Sequence, residues 1–166
     1  GTRTPTNDSL KKAFRIAQIA GQNGYTIISG LALGCDTAAH QGALSVNAKT
    51  VAVLPSGFNQ IYPFENKSLA NKIFQKGGCL ISEYKPNIIA NKATFIERDR
   101  IQSGLSCGII LIEASNEGGT RYTINFALND KKKIAVLSNN NYGFELNNKL
   151  ISSKKCYVFS NVKEIP

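Results

Sequence analysis

The sequence predicts an α/β protein, a doubly wound, mostly parallel sheet with helices on both faces. Three observations carry this. Apolar spacing switches repeatedly between the helical period and short strand-like runs, and the connections between them are short. The strand-like runs are continuously apolar and rich in Val and Ile, as strands buried on both faces are. The 166 residues, 42% hydrophobic and 19% charged, are enough for a domain with a core of its own, so a single domain over residues 1–166 is expected, with no accessory N- or C-terminal domain. They are not the composition of a disordered chain.

The elements follow in order. Leu10, Ala13, Phe14, Ala17 and Ala20 share a face over residues 8–23 while Lys11, Lys12, Arg15 and Gln18 lie elsewhere. This is an amphipathic helix started by Asn7 or Asp8 and stopped near Gly24. Residues 25–28 form a short strand ending at Ser29-Gly30. Helices are then expected over 36–46, 66–76, 94–106, 118–129 and 145–151, and strands over 50–54, 79–82, 109–113, 134–137 and 157–159. Residues 84–93 read as a polar connection. The chain opens with Gly1-Thr2-Arg3 and enters a helix directly, so the first strand of such a sheet is expected to be missing or to lie upstream. Ligands of open α/β sheets sit beyond the carboxyl ends of the strands, so those ends are where candidate residues matter.

Charge and cysteine usage narrow the partner. Twenty Lys and Arg against eleven Asp and Glu leave +9, which points to an anionic partner, nucleic acid first. No apolar run approaches the ~18 residues that span a membrane, so no membrane partner is expected. The first residues lack the apolar stretch of a secretory signal. Cys35, Cys79, Cys107 and Cys156 are at least 28 residues apart, so there is no CxxC zinc or redox motif. Three of them adjoin apolar runs and read as buried reduced thiols, which suits a cytoplasmic protein. No metal or cofactor is expected.

Several motifs could carry chemistry. Ser29-Gly30-Leu31-Ala32-Leu33-Gly34 lies between a strand and a helix, either as a phosphate cradle or as a plain turn; its spacing is neither G-x-G-x-x-G nor a P-loop. Glu117-Gly118-Gly119-Thr120 stands in the same relation to the next half, and its free N–H groups suit an anion. Lys92 through Arg100 interleaves cations with Phe95, a pattern suited to single strands, since phosphate pairs with the cation and a base stacks on the ring. The opposing reading makes Phe95 core and pairs Arg98 and Arg100 with carboxylates. His40 lies four residues after Asp36 on one helix face, where a structural pair outweighs a catalytic one. Glu83 and Glu113 end strands, where acid/base groups often lie. No catalytic residue is assigned.

Together these residues resemble the Rossmann-like domain of the DNA-processing protein A (DprA/Smf) family. The matching segments, in order, are Gly1-Thr2-Arg3-x-Pro5-Thr6 and Ser29-Gly30-Leu31-Ala32-x-Gly34-x-Asp36-x-Ala38-Ala39-His40. Ala52-Val53-Leu54-x-Ser56-Gly57, Ile61-Tyr62-Pro63-x-x-Asn66, Leu80-Ile81-Ser82-Glu83-Tyr84 and Arg98-x-Arg100-Ile101-x-Ser103-Gly104-Leu105-Ser106 follow. The resemblance implies a cytoplasmic homodimer that binds single-stranded DNA without a cofactor, protects it and helps load a RecA-type recombinase in natural transformation. It implies that Arg3 and Lys92 contact phosphate, that Phe95 stacks on a base, and that Arg98 and Arg100 act as the family's paired arginines. Ser29, Gly30, Gly34, Ser56, Gly57, Gly118, Gly119 and Thr120 would form anion loops.

The chain departs from the family pattern at two places. Asp99 stands where the paired arginines usually flank Asn, with Glu97 before them. Glu117-Gly118-Gly119-Thr120 replaces a Ser-Gly-Ser/Thr segment and leans toward the LOG phosphoribohydrolases. The alternative is therefore a small-nucleotide binder or a nucleotide N-glycosidic hydrolase related to that group.

Overall fold

The computed structural model describes residues 1–164. Helix α1 (Asn7–Gln22) is followed by β1 (Ile27–Ser29), α2 (Cys35–Ser45), β2 (Thr50–Val53), a 3-10 turn at Phe64–Asn66, α3 (Lys67–Gln75) and β3 (Cys79–Ile81). The second half runs α4 (Lys92–Leu105), β4 (Gly108–Leu111), α5 (Thr120–Asn129), β5 (Lys133–Leu137), α6 (Glu145–Ser152) and β6 (Tyr157–Phe159). Each strand expected from the sequence is present, within two residues at each end. All the strand pairs are parallel.

The sheet is divided. The described strands form two three-stranded sheets, ordered β1-β2-β3 and β4-β5-β6. In the first, Ile27 to Ser29 register with Thr50 to Ala52, and Val51 to Val53 with Cys79 to Ile81. In the second, Gly108 to Leu111 register with Lys133 to Val136, and Ala135 to Leu137 with Tyr157 to Phe159. Helices connect the halves. α1 packs on α2 and β1, and their Ala13, Ile16, Cys35 and Ala38 share a buried cluster with Ile112, Leu137, Phe144 and Phe159 of the second half. α4 packs on β1, β2 and α5, and α5 on β4. Smaller cores lie between the first sheet and α3 (Leu54, Leu69, Ile73) and between the second sheet, α5 and α6 (Leu111, Ile124, Val136, Leu150).

Local chemistry explains where helices start. Thr6, rather than Asn7 or Asp8, caps α1, its side chain accepting from the Ser9 N–H at 3.2 Å. α4 begins two residues before the expected Thr94 because Asn91 accepts from Ala93 and Thr94 while the Thr94 hydroxyl accepts from the Asn91 N–H, a reciprocal box. That shift places Lys92 in the first turn of the helix. The thiols are less buried than expected: Cys35 is buried, but Cys79 and Cys107 are exposed and Cys156 half-buried, because β3 is an edge strand and Cys107 precedes β4.

One buried polar side chain pins the second sheet. Asn147 of α6 is fully buried; its Nδ2 donates to the carbonyls of Ile112 (2.8 Å) and Leu137 (2.9 Å), and its Oδ1 accepts from the Ala114 N–H (3.1 Å). Its loss leaves three backbone groups without partners, each costing ~1–3 kcal/mol. Asn147→Leu is expected to lower the unfolding free energy in urea by more than ~3 kcal/mol, and Asn147→Asp, whose carboxylate would face the same two carbonyl oxygens, by at least as much at neutral pH.

Candidate functional site

A cavity of about 760 Å³ opens at the carboxyl ends of the strands, reached by both half-sheets. Its rim holds Arg3, Lys92 and Phe95, and across from them Gly118, Gly119, Thr120 and Arg121. These residues come from the N-terminal turn, α4 and the start of α5, far apart in the chain.

The turn carrying Arg3 is strapped down. Thr2 N–H donates to the Glu113 carbonyl at 2.7 Å, and Cys35 N–H to the Thr2 carbonyl at 3.2 Å. The buried Glu113 carboxylate accepts from both the N–H and the hydroxyl of Thr6, each at 3.0 Å. Glu113, considered above as an acid/base group, is thus an anchor of this turn. Gly34 adopts φ +80°, and an added Cβ would stand 2.6 Å from the Thr2 carbonyl oxygen. That glycine serves the approach of the turn rather than a phosphate.

The same holds for most of the first glycine loop. Arg98, expected to contact DNA, is only 5% exposed; its Nη1 donates to the carbonyls of Gly30 (2.7 Å) and Val53 (2.8 Å), and its Nε lies 3.2 Å from Asp99. A Cβ on Gly30 would collide with that guanidinium. Arg98 therefore ties the ends of β1 and β2 to α4, and its side chain faces the floor of the cavity. Asp36 accepts from the N–H groups of Gly30 and Ala32, both at 3.2 Å, and Ser29 also bonds it, so an internal carboxylate fills the loop where an external anion was considered. Burial pushes the Asp36 carboxyl up, while Arg98 and the Ser29 hydroxyl pull it down.

Ser56 and Gly57 are buried outside the cavity. The Ser56 hydroxyl donates to the Gln60 carbonyl at 2.6 Å, and Gly57 N–H to Ile88, against the 85–88 segment. Arg100 is exposed away from the cavity and ion-pairs with Glu83 at 2.5 Å, which also engages the second carboxylate considered for acid/base work. Glu97 accepts from the Tyr84 hydroxyl at 2.6 Å and points off the site. Among the described residues no group of His, Cys, Asp and Glu could hold a metal ion.

The rim is different. Phe95 is half-buried, with the Arg3 guanidinium 4.8 Å above its ring and Tyr62 edge-on at 5.6 Å. Among the described residues neither Arg3 nor Lys92 makes an ion pair. Gly119 meets nothing within 4 Å and Gly118 nothing nearer than Ser115 at 3.6 Å, so this loop, unlike the first, is open. Thr120 spends its hydroxyl on the Gly1 carbonyl at 3.1 Å. Two helix starts, at Lys92 and Thr120, thus bring positive dipole ends to one cavity, beside free cations. Tyr62 was not singled out as a site residue; its only signal is its place before Pro63 in the Ile61-Tyr62-Pro63 motif.

His40 sits outside this chemistry. It is fully buried, Nδ1 2.7 Å from the Thr50 hydroxyl, and burial drives its pKa down to about 4. Burial drives the Asp99 carboxyl the other way, to about 6, against the pull of Arg98. The signs oppose. His40 contributes stability above about 6.5 that is lost as pH falls toward 4; Asp99 contributes stability at low pH that is lost as pH rises from 3.8 to about 6. The two dependences therefore act against each other over this range. Urea unfolding between pH 4 and 6.5 is expected to show stability rising with pH in Asp99→Asn and falling with pH in His40→Gln, the parent being flatter than either. Arg98→Ala leaves two carbonyls and Asp99 without their partner and is expected to cost ~3–5 kcal/mol of stability in the same assay.

Comparison with known proteins places the chain in a family. The model of the family described as DNA recombination-mediator protein A matches residues 1–166. Protein Smf of Escherichia coli strain K12 is 40% identical over 114 residues, 69% of this chain and 30% of its own length. Protein Smf of Synechocystis is 36% identical over 139 residues, 84% and 35% of the two chains, and DNA processing protein DprA of Bacillus subtilis 34% identical over 134, 81% and 45%. The chain therefore spans between 30% and 45% of these relatives.

Among solved structures, DNA processing protein A from Helicobacter pylori, described for its single-stranded DNA binding mode, superposes with a TM-score of 0.91 at 29% identity, covering 98% of this chain and 74% of that one. The molybdenum cofactor carrier protein of Chlamydomonas reinhardtii, at 16% identity and a TM-score of 0.67 over 98% and 86% of the two chains, shares the fold alone. On the match along its whole length, this chain belongs to the DNA recombination-mediator protein A family, DprA/Smf.

Proposed function

We propose that the chain binds single-stranded DNA at the rim formed by Arg3, Lys92, Phe95 and the Gly118–Thr120 loop. One observation carries the reading: two cations without ion pairs, a half-buried ring and two helix starts meet at one cavity. Arg3 covers the Phe95 ring in the free protein. An exposed cation–π contact is worth ~0.5–1 kcal/mol, whereas a base stacked on an aromatic is worth ~1–3 kcal/mol. A base therefore displaces the guanidinium from the ring, and Arg3 turns to the neighbouring phosphate. Lys92 and the open loop take further phosphates. Arg98 and Arg100 support the site or lie off it.

One ring and a few cations give weak binding per protomer. A homodimer presenting two such rims to one strand gains through effective concentration. On the same reading the bound strand is protected and passed to a RecA-type recombinase during natural transformation in the cytoplasm. The family membership supports this, and no helix among the described residues is long and apolar enough to cross a membrane.

The open Gly118–Gly119 loop also favours a second reading, a small nucleotide held by its phosphate there. Of the three carboxylates considered for N-glycosidic hydrolysis, Glu83, Glu113 and Glu117, the first two are engaged within the protein, and Glu117 lines the cavity beside the open loop. A thermal-shift comparison separates the two: a mononucleotide that stabilises the fold where an oligonucleotide does not favours the second.

Fluorescence anisotropy with a labelled single strand and its duplex, across a salt series, tests the first. Each neutralised phosphate contributes about −0.7 to the log–log salt slope on single strands. Arg3→Ala and Lys92→Ala are each expected to flatten the slope by about 0.7. Phe95→Ala is expected to weaken binding by ~1–3 kcal/mol with the slope unchanged. Unaltered affinity in all three variants overturns the assignment.

A further inference from the structure

We infer that Tyr122, capped by Arg121, is a second base-stacking site across the cavity from Phe95, so that a bound strand is gripped by two rings. The inference rests on the reading of the cavity as a single-strand site. Behind it is an arrangement that occurs twice. On one wall the Arg3 guanidinium lies 4.8 Å above the Phe95 ring. On the other the Arg121 guanidinium lies 4.8 Å above the Tyr122 ring, and its Nη2 donates to the Tyr122 hydroxyl at 3.0 Å. All four residues line the same cavity. Both rings are half-buried, and Arg121, like Arg3, makes no ion pair among the described residues.

The fold holds the two pairs in a fixed relation. Phe95 and Asp99 are one turn apart on α4, and Asp99 is engaged by Thr123, the neighbour of Tyr122 on α5. The Gly1 carbonyl accepts from the Thr120 hydroxyl at 3.1 Å, which ties the turn carrying Arg3 to the first turn of α5. Just before Tyr122 the Gly118–Gly119 loop is open, and the cavity, at about 760 Å³, lies toward the upper end of the size range of small-molecule sites.

The chemistry of the second ring is that of the first. An exposed guanidinium over a ring is a weaker contact than a stacked base, so a base takes the Tyr122 face and Arg121 turns to a phosphate. A ring suits this wall. Glu117 shares it, and a stacked base, unlike a phosphate, brings no charge toward a carboxylate. Because every base has a face to stack, the second ring adds affinity without sequence preference. It also defines the ligand: a strand that reaches both rings gains from both through effective concentration, whereas a mononucleotide fills one.

Photocrosslinking tests this on the unaltered chain. An oligonucleotide whose bases are all iodouracil, which couples on irradiation to aromatic rings it stacks against, is bound and irradiated, and the attached peptides are mapped by mass spectrometry. Adducts are expected at both Phe95 and Tyr122, with Tyr122→Leu keeping the first and losing the second. In anisotropy titrations with a ~12-nucleotide oligothymidylate, Tyr122→Leu is expected to weaken binding at least about fivefold, and Tyr122→Phe by less than about twofold. Arg121→Ala is expected to flatten the log–log salt slope by about 0.7. Adducts at Phe95 without Tyr122, or unchanged affinity in Tyr122→Leu, overturn the second site and leave the Phe95 rim standing. Adducts at neither ring overturn both.

Discussion

The buried guanidinium of Arg98 is the constraint on which the rest of the molecule's upper surface depends. A planar cation with several donors in a fixed fork can hold two carbonyls from different strands and a carboxylate at once, in an arrangement that the compact ammonium of lysine does not pre-set. Here it joins the ends of β1 and β2 to α4, and so sets the height at which Lys92 and Phe95, about two turns and one turn earlier on that helix, meet the cavity. Gly30 is glycine because the guanidinium occupies the space a side chain would take.

A division of electrostatic labour follows. At the floor Arg98 pairs with Asp99, and Asp36 accepts from the Gly30 and Ala32 N–H groups, so these charges are engaged within the protein. Buried ion clusters of this kind are weak sources of net stability, but breaking one is costly. The rim keeps its cations free, and helix dipoles from α4 and α5 add to them. A protein with a net charge of +9 has many cations, and only the few that are both free and convergent can distinguish a bound polyanion from general attraction.

The fold was largely legible in the sequence because its signals are local. Continuous Val and Ile runs such as residues 50–53 and 134–137 are recognisable without knowing their neighbours, and all six strands appear where such runs predict them. The helix start at Lys92 was missed by two residues because Asn91 and Thr94 act as a reciprocal pair. The exposure of Cys79 and Cys107 was missed because sheet order, which decides what is an edge, is not written in any one run.

The sequence by itself determined the α/β class, the family resemblance and the set of residues worth considering, since each rests on residue type and spacing. Tertiary structure decided which of those residues are free. Arg3, Lys92 and Arg98 are all cations, but one buried carboxylate and two carbonyls lie within reach of Arg98 alone. Gly34 and Gly119 are both loop glycines, yet the first is filled by the N-terminal turn and the second is open. Availability is a property of what packs nearby, and distant parts of the chain supply that.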